Sequence, residues 1–115
     1  NIPEPLIKVI PLSTQQKRDL CEIAKRNILR ALDTSIDRVS EILEEIATIT
    51  EEARLRRIRR SLRRLRREWA RTIEIAEQLQ IDVRRDYQYL LELIERAESE
   101  LESINLNNSS DVGGE

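Results

Sequence analysis

The feature that most constrains this fold is the spacing of apolar residues between positions 55 and 79. In this segment the apolar positions, with one threonine among them, recur at steps of three and four: Leu55, Ile58, Leu62, Leu65, Trp69, Thr72, Ala76 and Leu79. Because an α-helix has about 3.6 residues per turn, such a repeat places these side chains on one narrow stripe. The stripe predicts a long helix over residues 51–80 that packs against other helices through a coiled-coil-like seam.

Two further seams flank this one. The earlier seam has Ser35 in its gap and consists of Ile28, Leu32, Val39, Ile42, Ile46 and Ile49, whereas the later seam is Val83, Tyr87, Leu90, Ile94, Ala97, Leu101 and Ile104. Ser13 and Gln16 have the spacing of a capping box, and Thr50 and Asp82 are expected to be the N-caps of the next helices. The sequence therefore predicts helices over 14–49, 51–80 and 82–104.

The links between the predicted helices are very short, and short links make neighbouring helices antiparallel. The expected fold class is all-α, an antiparallel bundle of three long helices over residues 13–105. Asp33, Thr34 and Ser35 favour caps and turns, so a break near 33–35 that would give four helices stays an open alternative.

The two ends of the chain differ from the bundle in composition. Residues 1–12 hold all three prolines, which predicts an extended arm. Its apolar side chains either lie along a bundle or dock onto another protein, and the candidates are Leu6, Ile7, Val9 and Ile10. Residues 106–115 are predicted to be a flexible polar tail.

Composition argues against catalysis. The chain has no histidine and only two glycines, so the commonest base and metal ligand is missing, as are Gly-rich phosphate loops. The expectation is a non-enzyme with no cofactor, metal or small-molecule substrate. No stretch reaches the roughly 18 apolar residues of a membrane span. Cys21, the one cysteine, lies near the first seam and is expected to be buried. Because a single cysteine cannot form a disulfide within the chain, an intracellular, reducing compartment is expected, either the cytoplasm or the nucleus.

Ten arginines lie between Arg54 and Arg71, although the chain's net charge is −2. In an antiparallel bundle, the nine arginines from Arg54 to Arg67 lie level with glutamates of the first and third helices, so most of these arginines are expected to be neutralised. This order of charges favours the antiparallel arrangement over a parallel one. Those glutamates are Glu41, Glu44, Glu45, Glu92, Glu95, Glu98, Glu100 and Glu102. One strip remains as an exposed candidate contact for phosphate or an acidic partner: Arg56, Arg60, Arg63 and Arg67.

Two hypotheses for function follow. The first is a protein-interaction or oligomerisation module, in which apolar residues outside the seams favour a homodimer. Trp69 is then a core residue or an anchor in an interface, and Tyr89 is a candidate contact. The alternative is an RNA- or DNA-binding helical domain that contacts phosphates through the arginine strip. Nuclear-import recognition of the basic run is compatible with either hypothesis.

Overall fold

The computed structural model describes the backbone of residues 10–113 and the side chains of residues 10–104. Within that range the chain forms three helices and no strand: α1 (Thr14–Ile46), α2 (Glu52–Gln78) and α3 (Arg84–Gly113). α1 packs against α3 and α2 packs against α3, which makes α3 the central helix. The predicted all-α bundle of three long helices is confirmed. α1 is continuous, so the alternative break near 33–35 is wrong.

The start of α1 follows its sequence signal. The Ser13 hydroxyl accepts the backbone N–H of Gln16, and the Gln16 side chain accepts the backbone N–H of Ser13. This capping box satisfies two of the donors that a helix N-terminus leaves unpaired.

The other helix ends differ from the prediction by a few residues. The N-cap of α2 is Glu51, which makes no side-chain capping bond, so Thr50 is not the cap. Asp82 is not the N-cap of α3 either, because the helix begins at Arg84, but its carboxylate accepts the backbone N–H of Arg84 at 3.2 Å. α3 continues to Gly113, so residues 106–113, predicted to be tail, are helical. Extending an existing helix costs little, and no proline or glycine precedes Gly113 to stop it.

A Schellman turn ends α2. The Ile81 N–H donates to the Ala76 carbonyl at 2.8 Å, and the Gln80 N–H donates to the Glu77 carbonyl at 3.0 Å. Both Ile81 and Ala76 are buried, which adds the apolar contact typical of this motif. Gln80 has a φ of 58°, in the left-handed region where glycine is favoured.

The core is built from residues one heptad apart. In α1 and α2 the buried side chains recur every seven residues: Leu32, Val39 and Ile46, and then Leu55, Leu62, Trp69 and Ala76. α3 buries a wider stripe, and Val83 directly before it is buried too: the buried residues of α3 include Leu90, Leu93, Ile94, Ala97 and Leu101. The other seam positions of α1 and α2 are mostly half-buried, because each of these helices has its main packing partner, α3, on one side.

One polar contact crosses the core between α1 and α2. The indole N–H of Trp69 donates to the Ser35 hydroxyl at 2.9 Å, and Trp69 is only 7% exposed. The indole thereby has the partner that a buried tryptophan needs. Because Arg54 also pairs with Glu45, the two contacts show that α1 and α2 run antiparallel. Trp69 is thus a core residue of the bundle.

α1 overhangs the α2–α3 hairpin. α2 extends nine residues beyond Trp69, to Gln78. Because Trp69 contacts Ser35 and the two helices are antiparallel, the end of α2 lies level with the residue nine positions before Ser35, near Arg26. Residues 10–23 are all exposed, and Ala24 is the first partly buried one. Cys21, expected to be buried, is therefore exposed because no neighbouring helix lies beside it. Leu79 is likewise exposed, although it lies on the predicted seam, because α2 ends at Gln78.

We expect Gln80→Gly to raise the free energy of unfolding by about 0.5–1 kcal/mol. Glycine removes the left-handed strain, which is worth about 1–2 kcal/mol, and the greater freedom of the unfolded chain offsets part of that gain. Urea unfolding followed by far-UV circular dichroism measures the difference. A loss of stability would show that the side chain of Gln80 makes a contact that outweighs the strain.

We expect Ser35→Ala to lower the free energy of unfolding by about 1–2 kcal/mol, because it leaves the Trp69 indole N–H buried without a partner. In a Trp69→Phe background, which removes the donor, the same substitution should cost less than about 0.5 kcal/mol. Equal costs in the two backgrounds would contradict a stabilising role for this hydrogen bond.

Candidate functional site

The predicted arginine strip lies on the outer side of α2. Arg56, Arg60, Arg63 and Arg67 are all exposed, as expected, and they extend over about 16 Å of helix at about 1.5 Å per residue. They face away from α3 because the buried column of α2, from Leu55 to Ala76, occupies the opposite side.

The exposed basic surface is wider than that strip. Arg57, Arg64 and Arg71 are also exposed and lie on adjoining helical positions. At about 100° per residue the seven side chains occupy an arc of about 120° opposite the buried column. We call this surface the arginine face: Arg56, Arg57, Arg60, Arg63, Arg64, Arg67 and Arg71. The three additional residues could have been found by projecting every arginine, and not one row of them, onto a helical wheel.

Few of these arginines are neutralised. Of the nine from Arg54 to Arg67, two form ion pairs among the described side chains: Arg54 with Glu45 at 2.8 Å, and Arg66 with Glu98 at 2.5 Å. The expectation that most would meet a glutamate is wrong. Lying level with a carboxylate is not enough, because outer positions of a helix point to solvent and an exposed pair gains only about 0–1 kcal/mol.

The two ion pairs differ in burial. Arg54 and Glu45 are both about half exposed, whereas Arg66 and Glu98 are more enclosed, and the Nε of Arg66 is buried without a partner in the described structure. The second pair joins α2 to α3, whereas the first joins α2 to α1.

A second surface is the groove between α1 and α2. These helices contact each other less closely than either contacts α3. The groove between them is lined by two residues of α1 and five of α2: Arg38, Ile42, Ser61, Leu62, Arg64, Leu65 and Glu68. One end of this groove is therefore mixed in character, with charged residues around apolar ones.

The other end of the groove is apolar. On α1, Ala31 and Ala24 precede Arg38 by one and two heptads, and Leu20 lies one turn before Ala24. On α2, Ile75 follows Ser61 and Leu79 follows Leu65, each by two heptads. Since positions seven apart share one side of a helix, Ala24, Ala31 and Ile75 continue the line of the groove, whereas Leu20 lies on the overhang of α1 and Leu79 directly after the end of α2. Leu20, Ile75 and Leu79 are 52%, 56% and 51% exposed, and Ile23, beside Leu20, is 51% exposed.

The remaining predicted interface residues are distributed elsewhere. Tyr89 is half exposed on α3, where it lines a shallow depression with Arg85 and Glu92. Ile10 is 80% exposed, and it lies before α1. Leu6, Ile7 and Val9 lie outside the described residues. The structure does not bring Tyr89 or Ile10 together with the arginine strip or with Trp69.

Neither surface has the side chains of a metal centre. Among the residues described, no three His, Cys, Asp or Glu side chains lie close enough together to hold a metal ion. No helix in the same range is long and apolar enough to cross a bilayer.

Comparisons with protein-family models, with curated proteins and with solved structures found no match to this chain.

We expect Glu98→Gln to lower the free energy of unfolding by about 1 kcal/mol more than Glu45→Gln does. The Arg66 guanidinium is more enclosed and loses a charged partner, whereas Arg54 remains hydrated when its partner is replaced. Urea unfolding of the two variants, which carry the same charge change, provides the comparison. Equal losses would indicate that neither ion pair is shielded from solvent.

Proposed function

We propose that this chain is a non-enzymatic helical-bundle module that acts by binding another protein chain, in the first instance a second copy of itself. The observation that carries this proposal is the exposed apolar surface beyond the groove, which we call the apolar end: Leu20 and Ile23 on the overhang of α1, and Ile75 and Leu79 at the end of α2, are each about half exposed. Burying such residues is favourable at about 25 cal/mol per Å² of apolar surface.

Charge supports a second copy as the occupant. Around the apolar end, the first half of α1 is rich in basic residues and the last third of α2 in acidic ones, and none of these charges forms an ion pair in the described structure. The basic residues are Lys17, Arg18, Lys25, Arg26 and Arg30, and the acidic ones are Glu74 and Glu77, with Glu68 two residues before the last third. A two-fold arrangement places the basic end of one α1 on the acidic end of the other copy's α2.

The overhang of α1 supports the same arrangement. Among the described residues, the turns of α1 before about Arg26 have no helix of their own chain beside them, so Leu20 and Ile23 are exposed there. A second copy, running in the opposite direction, can cover both apolar ends in one symmetric contact. We further propose a reducing compartment, cytoplasmic or nuclear, because the exposed free thiol of Cys21 would form disulfides between molecules in an oxidising one.

Sedimentation equilibrium tests self-association. We expect the unmodified chain to be a reversible dimer at about 100 μM and Ile75→Glu/Leu79→Glu to be a monomer, because the added carboxylates would be buried against apolar side chains. The matched control is Ala53→Glu/Ala70→Glu, which adds the same charge at exposed positions of α2 away from the groove and should remain a dimer.

Circular dichroism checks that all of these chains keep their helices. A monomeric unmodified chain at that concentration, or equal dissociation of both variants, would contradict the proposed contact.

The arginine face supports a second candidate function, the binding of nucleic acid. Arg57 and Arg64, at one edge of this face, also line the groove, whereas Arg56, Arg60, Arg63 and Arg67 lie farther round the outer side of α2. The two functions therefore share only the edge of the arginine face.

A further inference from the structure

The arginine face is an unbroken basic surface. Between Arg56 and Arg71, the outer positions of α2 that form the face carry seven arginines, the exposed Glu68 lies at its edge beside Arg64 and Arg71, and Glu74 and Gln78 end the series. Its length is about 22 Å. None of the seven forms an ion pair with a described side chain, so their donors are available to a ligand.

The helix beneath this face is held firmly in place. Leu55, Leu62 and Trp69 are buried on the opposite side, and Arg66 is tied to Glu98 of α3. The arginine backbones therefore keep a fixed spacing, with Cβ atoms about 5–6 Å apart at steps of three and four residues. A ligand bound here meets charges that are already arranged, which lowers the entropy cost of binding.

We propose that the arginine face binds the phosphate backbone of a nucleic-acid duplex without reading its base sequence. A guanidinium presents paired N–H donors that match two phosphate oxygens, and all seven basic residues of the face are arginine and none is lysine. The length of the face corresponds to about six base pairs, since each strand carries one phosphate per about 3.4 Å of axis.

The composition of the face separates a duplex from the other anionic polymers. Proteins that bind single strands stack bases on aromatic rings, and the arginine face contains no aromatic residue. It also lacks the Asn and Gln side chains that read adenine edges, which agrees with binding to the backbone alone. Insertion of α2 into a lipid surface would require its apolar stripe, which is already buried in the bundle.

Fluorescence anisotropy with a labelled mixed-sequence duplex of about 20 base pairs tests the proposal. With about four phosphates contacted, the logarithm of the affinity should fall with a slope of about −3.6 against the logarithm of salt concentration. This slope corresponds to a loss on the order of 100-fold between about 50 and 200 mM salt. Two duplexes of unrelated sequence should bind within about twofold of each other, and a single strand of the same length should bind at least about tenfold more weakly.

Two matched variants locate the site. Arg60→Gln/Arg63→Gln/Arg67→Gln should weaken duplex binding at least about tenfold and reduce the salt slope by about three. The control, Arg84→Gln/Arg85→Gln/Arg96→Gln, removes the same charge from exposed positions of α3 and should change the affinity less than about threefold. Circular dichroism and sedimentation equilibrium verify that both variants keep the fold and the oligomeric state of the unmodified chain.

Several outcomes would overturn the proposal: no duplex binding at about 50 mM salt, equal losses in the two variants, or a single strand that binds as tightly as the duplex. A polyglutamate peptide or anionic lipid vesicles that compete as well as the duplex, at equal charge concentration, would also overturn it by assigning the face to a different partner. Because the control and the arginine variants leave the groove intact, none of these outcomes bears on self-association.

Discussion

The packing of both outer helices onto α3 determines the form of this molecule. α3 buries a wide apolar stripe, including Leu90, Ala97 and Leu101, whereas α1 and α2 each bury one residue per heptad. Because the outer helices direct their seams toward α3, they contact each other weakly and leave a groove between them. The same orientation turns the outer positions of α2 to solvent. Both candidate surfaces are thus consequences of one packing arrangement, in which a central helix takes up most of the apolar contact.

Polar contacts add direction to this packing. Apolar stripes alone tolerate sliding and reversal, since one aliphatic side chain packs nearly as well as another. The Trp69–Ser35 hydrogen bond joins α1 to α2 at one level, and the Arg66–Glu98 pair joins α2 to α3. Each of these bonds requires a particular register, because a shifted helix would leave a buried indole or a partly enclosed guanidinium unpaired. Specificity of the bundle therefore rests on a few contacts within a largely aliphatic core.

The sequence predicted the three helices and their buried sides well, because a 3-4 repeat directly determines which face of a helix is apolar. The same repeat predicted that the four arginines of the strip, Arg56, Arg60, Arg63 and Arg67, would be exposed. It failed for Cys21 and Leu79, since periodicity does not reveal where a neighbouring helix stops. The expected pairing of the nine arginines with glutamates at the same level was wrong, because side chains at one level of the bundle can point outward from different helices without meeting. The groove and its apolar end were missed, since they depend on which pairs of helices pack closely.

The position of Trp69 has a practical consequence. It is the only tryptophan in the chain, and its indole joins α2 to α1 within the core. Its emission wavelength reports the polarity around one point of the core, and hydroxyl contact with Ser35 contributes to that polarity. Separation of α1 from the hairpin would expose this ring to water before α2 and α3 part from each other. Comparing the emission wavelength of Trp69 with the total helix content therefore distinguishes detachment of α1 from complete unfolding.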